Sequence, residues 1–108
     1  MKKVLFHSKV RSIIKAFPDD IKYKIGKALF FLQRGETLQM PLSKAMPSVG
    51  KGVSELRIKG TDGIYRVFYL VKAESGILVF HAFMKKTQKT PLLEIELARA
   101  RLRELQNG

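Results

Sequence analysis

Cysteine and tryptophan are absent from the 108 residues, and histidine occurs only twice. Without a thiol there is no cysteine nucleophile, no disulfide framework, no zinc finger and no iron–sulfur centre. His7 and His81 stand far apart among few carboxylates, so no metal site is expected, and no cofactor. Acidic residues are scarce too: nine Asp and Glu against 21 Lys and Arg, a formal net charge of +12. Long apolar runs are missing. None exceeds about five residues, as around residues 77–80, where a membrane span needs roughly 20. The stretch at residues 4–6 is too short for the core of a signal peptide. A cytoplasmic protein with no membrane partner is therefore expected. The glycines are scattered rather than gathered into a phosphate-cradling loop, and there is no repeat, linker or low-complexity tract.

What is present suffices for one domain over residues 1–108. Hydrophobic residues make up 45% of the chain, close to the globular average. The positive excess bears on partners rather than fold: nucleic acid, the ribosome, an anionic surface, or an acidic protein that neutralises it. Nine Lys and Arg and only two Asp precede residue 35, which puts +7 of the charge there.

Periodicity divides the chain into elements. Residues 2–6 read as a short first strand. Ser8 is a candidate cap for a helix whose apolar face is Val10, Ile13, Ile14 and Phe17. Pro18, Asp19 and Asp20 suit the first turn of a second helix, with Ile21, Ile25, Ala28, Leu29 and Leu32 as its stripe and Gly35 as its stop. Residues 36–52 read as a loop, with Leu38, Met40 and Leu42 available to pin it. Residues 53–59, 64–71 and 77–84 read as an antiparallel meander. The middle strand is apolar on both faces, which implies a central, doubly covered position. Thr90 and Pro91 suit the start of a last helix, with Leu92, Ile95, Ala98, Leu102 and Leu105 inward and Arg99, Arg101 and Arg103 clustered late. The expected fold is α+β, order β-α-α-β-β-β-α, with helices on one face of a small, mostly antiparallel sheet and the other face at least partly open.

Arg66 interrupts the apolar run of the central strand. A charge there is costly unless it is paired or faces a solvated cleft. It reads either as an ion pair with Glu55 or Asp62, or as a phosphate-directed fork. Arg57, one hairpin away, projects near it. His81 lies among apolar strand residues and reads either as a core histidine or as a proton carrier facing a cleft. Lys85, Lys86 and Lys89 flank a basic loop, and Tyr65 and Tyr69 point away from Arg66.

Four segments carry a family resemblance: Val53-Ser54-Glu55-Leu56-Arg57; Gly63-Ile64-Tyr65-Arg66-Val67-Phe68-Tyr69; Phe80-His81-Ala82-Phe83-Met84-Lys85-Lys86-Thr87-Gln88-Lys89-Thr90-Pro91; and Glu94-Ile95-Glu96-Leu97-Ala98. Together they resemble the phage-derived Gp49-like and HigB-like toxins of the RelE/ParE superfamily. The element order is similar over nearly the whole chain, and the likeness is most specific over residues 53–100. The resemblance implies a type II toxin that cleaves mRNA in the ribosomal A site, without metal, by attack of the ribose 2′-OH on the adjacent phosphate. It implies a cognate antitoxin of helix-turn-helix type, with ribosome and mRNA as the other partners. The family's strand arginine matches Arg66, its Leu-Arg matches Leu56 and Arg57, and its basic strand end matches Lys85 and Lys86. The chain departs from RelE itself. Val53 and Glu55 stand where lysines are usual, and no tyrosine follows Tyr69. His81 and Lys85 are the substitutes for the missing acid and base. Arg57, Arg66, Lys85 and His81 are thus the candidate catalytic set, and Lys22, Lys24, Lys27, Lys86 and Lys89 the candidate RNA and ribosome contacts. The missing acid and base also leave room for a ParE-like, non-enzymatic gyrase inhibitor, or for a nucleic-acid-binding module of phage origin.

Overall fold

The period-two segments become a meander in a computed structural model, which describes residues 1–74 and 76–107. β3 (Val53–Lys59), β4 (Ile64–Lys72) and β5 (Gly76–Lys85) pair antiparallel in chain order. β1 (Val4–Phe6) adds to β5 in parallel, Val4 opposite Ile77 and Phe6 opposite Val79. The five-stranded sheet runs β1-β5-β4-β3-β2. Its last strand, β2 (Ser43–Ala45), lies inside the segment expected to be loop. Three residues without a β-branched side chain give no strand signal. Their place comes from pairing with β3 and from a buried 2.6 Å hydrogen bond between the Ser43 and Tyr69 hydroxyls. Of the three side chains expected to pin this segment, Leu38 does pack on the core. Met40 and Leu42 are exposed, and Met46 and Val49 are buried in their stead.

α1 (Ser8–Lys15) is capped by His7 rather than Ser8: the His7 Nδ1 accepts the Lys9 amide at 3.2 Å. α2 (Asp19–Gln33) carries Asp19 and Asp20 in its first turn, where carboxylates meet the positive end of the helix. It stops at Gly35, whose φ of +87° needs no Cβ. The Gly35 amide donates to Leu32 (3.0 Å) and the Glu36 amide to Phe31 (3.1 Å), which closes the last turn.

Alternation on the central strands sets up two cores. Val10 on α1, with Ile21, Ile25 and Leu29 on α2, packs on Leu56, Ile58, Tyr65, Val67 and Tyr69. On the other face α3 (Leu92–Asn107) places Ala98 and Leu102 against Phe68, Leu70, Phe80 and Phe83. The one-sided arrangement of helices is thus corrected: two helices lie on one face and the third on the other. The cause is the double apolarity of β4 and β5. A face bearing three phenylalanines must be covered, and α3 has the matching stripe. A bulge in β5 adds to this. Phe68 pairs with His81 and Tyr69 with Val79, so Phe80 is the extra residue, and both Phe80 and His81 serve the α3 side. Among the described residues no helix is long and apolar enough to cross a membrane.

Gly76 opens β5 with φ +91°, and a Cβ there would collide with the Lys3 carbonyl oxygen. That carbonyl also accepts the Ile77 amide at 2.7 Å. Gly76→Ala should therefore cost about 1–3 kcal/mol and loosen β1 first. Urea unfolding, with hydrogen exchange at residues 4–6, measures both; an unchanged midpoint would show that β1 does not approach so closely.

Candidate functional site

Register places Arg57 directly opposite Arg66, and Glu55 opposite Phe68, with all four side chains on the α3 side. Arg66 is 0% exposed. One guanidinium arm donates to the Thr90 hydroxyl at 3.1 Å, and the other to the carbonyls of Thr87 and Gln88, the latter at 2.9 Å. Its Nε has no partner, and the group lies 5.9 Å from the centre of the Phe83 ring. Arg57, half-buried, also donates to the Gln88 carbonyl. Two arginines from neighbouring strands therefore converge on one backbone oxygen.

Glu55, equally buried, supplies the counter-charge. Its Oε2 accepts the Thr90 hydroxyl at 2.9 Å, while its Oε1 lies 3.0 Å from the Arg57 Nε, off the bonding direction of both. Neither expected ion-pair partner touches Arg66 directly. Glu55 reaches it through Thr90, and the Asp62 carboxylate instead accepts the Tyr65 hydroxyl at 2.8 and 2.9 Å. Burial raises the Glu55 carboxyl above its ordinary range, against the pull of the Thr90 hydrogen bond and of Arg66, Arg57 and Lys44. Burial likewise lowers the Arg66 guanidinium, and Glu55 opposes that shift. Thr90 is not the helix cap its sequence context suggests, because its hydroxyl serves this bridge. α3 begins instead from the Pro91 carbonyl, which accepts the Glu94 and Ile95 amides at 3.1 and 3.3 Å.

A second cluster lies beneath α3. His81 is buried; its Nδ1 accepts from the Arg101 guanidinium at 2.9 Å, which places its proton on Nε2, and Nε2 donates to the Glu94 Oε1 at 2.8 Å. The other Glu94 oxygen lies 3.9 Å from the Lys85 ammonium, whose side chain is 46% exposed. Burial first, and Arg101 after it, lower the His81 pKa, while Glu94 opposes them. Phe83 separates the two clusters, its ring 5.3 Å from that of His81.

The sequence candidates are thus distributed. Arg57 and Arg66 come together, and Lys85 and His81 are joined through Glu94. Arg66 and His81 face the α3 side of the sheet without reaching solvent. Lys86 and Lys89 are exposed on the loop. Lys24 and Lys27 are exposed on α2 and line a depression with Arg57, whereas Lys22 is held locally by Asp19 at 3.2 Å and the Lys15 carbonyl at 3.3 Å. The groups missed were Thr90, Glu94 and Arg101. Arg101 had a signal: positions 98, 101, 102 and 105 follow the i, i+3, i+4, i+7 rule, which puts an arginine on the buried stripe. Among the described residues no group of three or more His, Asp or Glu side chains is placed to hold a metal ion.

Compared with known families, residues 12–103 match the family model described as phage-derived protein Gp49-like. Comparison with the curated proteins finds no match.

Two substitutions test the clusters. Thr90→Val keeps the volume but removes the hydroxyl between Glu55 and Arg66, and should cost about 1–3 kcal/mol in urea unfolding. His81 is held below its ordinary 6.5, so between the folded value and 6.5 the unfolded chain binds more protons. Stability from this group is complete above 6.5 and is lost as pH falls through the folded pKa. Unfolding followed across that window should show stability rising with pH, with a shallower rise in His81→Asn.

Proposed function

The chain belongs to the phage-derived Gp49-like family, and on that footing we propose that it is the toxin of a type II toxin–antitoxin pair, a metal-independent endoribonuclease acting on ribosome-bound mRNA. The observation that carries the reading is the cross-strand arginine pair meeting at the Gln88 carbonyl. Two like charges in register repel one another, and an anion between them relieves that repulsion. A phosphodiester oxygen in place of the carbonyl would add opposite charge to bonds whose donors are already ionised, and its two free oxygens match the guanidinium fork.

In this reading the ribose 2′-OH attacks the neighbouring phosphorus, the bond to the 5′-oxygen breaks, and a cyclic phosphate and a 5′-hydroxyl result. Arg57 and Arg66 stabilise the charge that builds on the phosphate oxygens. The 2′-OH proton passes to solvent water, and the half-exposed Lys85 ammonium gives a proton to the leaving 5′-oxygen and is reprotonated from solvent. His81 does not touch RNA; it holds Glu94 against Lys85. An acidic antitoxin of helix-turn-helix type would neutralise the positive surface, and the ribosome would orient the message.

One observation favours a different mode. The arms of Arg66 and both nitrogens of His81 are already occupied by the chain's own partners. That suits a ParE-like inhibitor that blocks gyrase by surface contact. Mapping mRNA 5′ ends in a translating extract separates the two. Ribosome-dependent cuts support the nuclease; intact mRNA with inhibited supercoiling supports the gyrase inhibitor. Lys85→Gln, at an exposed position, should lower cleavage by about 10²-fold with its thermal midpoint retained.

A further inference from the structure

Three depressions follow one another around the end of β3 that extends past β2, each sharing lining residues with the next. The first, about 450 Å³, lies between α2 and β3 and is walled by Lys24, Lys27, Phe31 and Leu42. It shares Leu42, Arg57 and Lys59 with a second of about 480 Å³, which reaches Gln88. The second shares Lys59, Ile64 and Gln88 with a third of about 440 Å³, which ends at Lys86. Five cations thus follow one another along a single trough: Lys24, Lys27, Arg57, Lys59 and Lys86.

Apart from Arg57, these cations lack internal neutralisation. Among the described residues no carboxylate pairs with Lys24, Lys27, Lys59 or Lys86; Lys9 and Lys15 on α1 are equally unpaired, and what sets the trough apart is the apolar surface between its cations. Asp62 is the one acid lining the trough among the described residues, and its carboxylate is engaged by the Tyr65 hydroxyl. The floor is not polar: Phe31, Leu42 and Ile58 line its α2 end. Cations in file above an apolar floor suit a chain with one negative charge per repeat and a flat apolar face beside each charge.

We propose that this trough is the track of a single-stranded RNA, entering over α2 at Lys24 and Lys27, crossing the β3 edge at Arg57 and Lys59, and leaving past Gln88 at Lys86. The inference rests on the RNA-directed reading above in its choice of ligand, but it requires no cleavage. Phosphates lie against the five cations, and bases cover Phe31 and Leu42. A duplex offers phosphates without free base faces and leaves the floor unused.

The test is binding of a labelled 2′-O-methyl RNA strand of about a dozen nucleotides, which 2′-OH attack cannot cleave, followed by anisotropy across a salt series. Each neutralised phosphate contributes about −0.7 to the slope of log K against log salt, so five contacts give about −3.5. Lys24→Gln with Lys27→Gln should reduce the slope to about −2.1. The control, Lys9→Gln with Lys15→Gln, removes the same charge from exposed positions on α1 and should leave the slope near the wild-type value. Phe31→Ala should weaken binding about tenfold at unchanged slope. Equal losses in the control pair, equal affinity for duplex RNA, or full competition by poly-glutamate of equal charge would each overturn the track. Binding as described with intact mRNA in the translating extract would leave the track standing and defeat the nuclease; cleavage indifferent to the two α2 lysines would do the reverse.

Discussion

A guanidinium buried in the middle of a central strand is the constraint on which the second half of the structure depends. Arg66 cannot remain charged at 0% exposure without acceptors. Its neighbours across the sheet are Arg57 and Phe83, which accept nothing. The acceptors must come from outside the sheet, and the segment after β5 supplies them: two carbonyls and the Thr90 hydroxyl. That segment is short, exposed and without regular structure of its own. Its position is therefore the consequence of a charge it did not create. Thr90 then passes the requirement on to Glu55, and the direction in which the chain leaves Thr90 sets where α3 begins.

α3 meets a similar requirement one turn further on. The β5 bulge turns His81 toward the helix, and the helix answers with Arg101 on one ring nitrogen and Glu94 on the other. Cation, neutral ring, carboxylate and ammonium follow in sequence from Arg101 to Lys85, so the His81 ring and the Glu94 carboxylate each have partners of suitable polarity, while the Arg101 Nε has none. Around this line Ala98, Leu102, Phe68 and Phe80 provide the apolar contact. The helix is held by both. Apolar burial gives it affinity for the sheet, and the polar line fixes its rotation and height, because a shift of one residue would separate Arg101 and Glu94 from His81 at once.

Much of this is legible in the sequence. Period-two alternation locates the three central strands, period 3.6 locates the helices, and Arg66 stands out as a charge in an apolar run that must be paired or face a solvated cleft. The missing parts share a physical cause: each depends on a contact distant in sequence. Ser43-Lys44-Ala45 has no strand propensity and is a strand only because β3 offers an edge. Thr90 beside Pro91 has the local chemistry of a cap, but a carboxylate 35 residues earlier competes for its hydroxyl and wins. Arg101 was hidden by its neighbours, since Arg99 and Arg103 make the three look like one solvated cluster. Spacing alone distinguishes it, as one residue of the helix stripe that faces His81. The covering of the second face is implicit in the double apolarity of β4, and the Ala98–Leu102 stripe of α3 supplies it.

The positive charge divides accordingly into two populations with different physics. Arg66, Arg101 and in part Arg57 are internal; the chain's own oxygens and the His81 ring nitrogen meet them, and they hold the architecture. Lys24, Lys27, Lys59 and Lys86 are external and unpaired among the described residues, and their field extends about 8–10 Å into solvent at ordinary salt. A polyanion meets the external set first. The two populations adjoin at Gln88, a residue that lines the second depression and whose carbonyl receives hydrogen bonds from Arg57 and Arg66. In the proposed reading a phosphate that engages Arg66 displaces one of its present acceptors, the Thr87 and Gln88 carbonyls and the Thr90 hydroxyl. In the proposed RNA-directed reading, attraction by the surface charges and engagement of the buried ones are successive steps, which a sum of +12 alone does not distinguish.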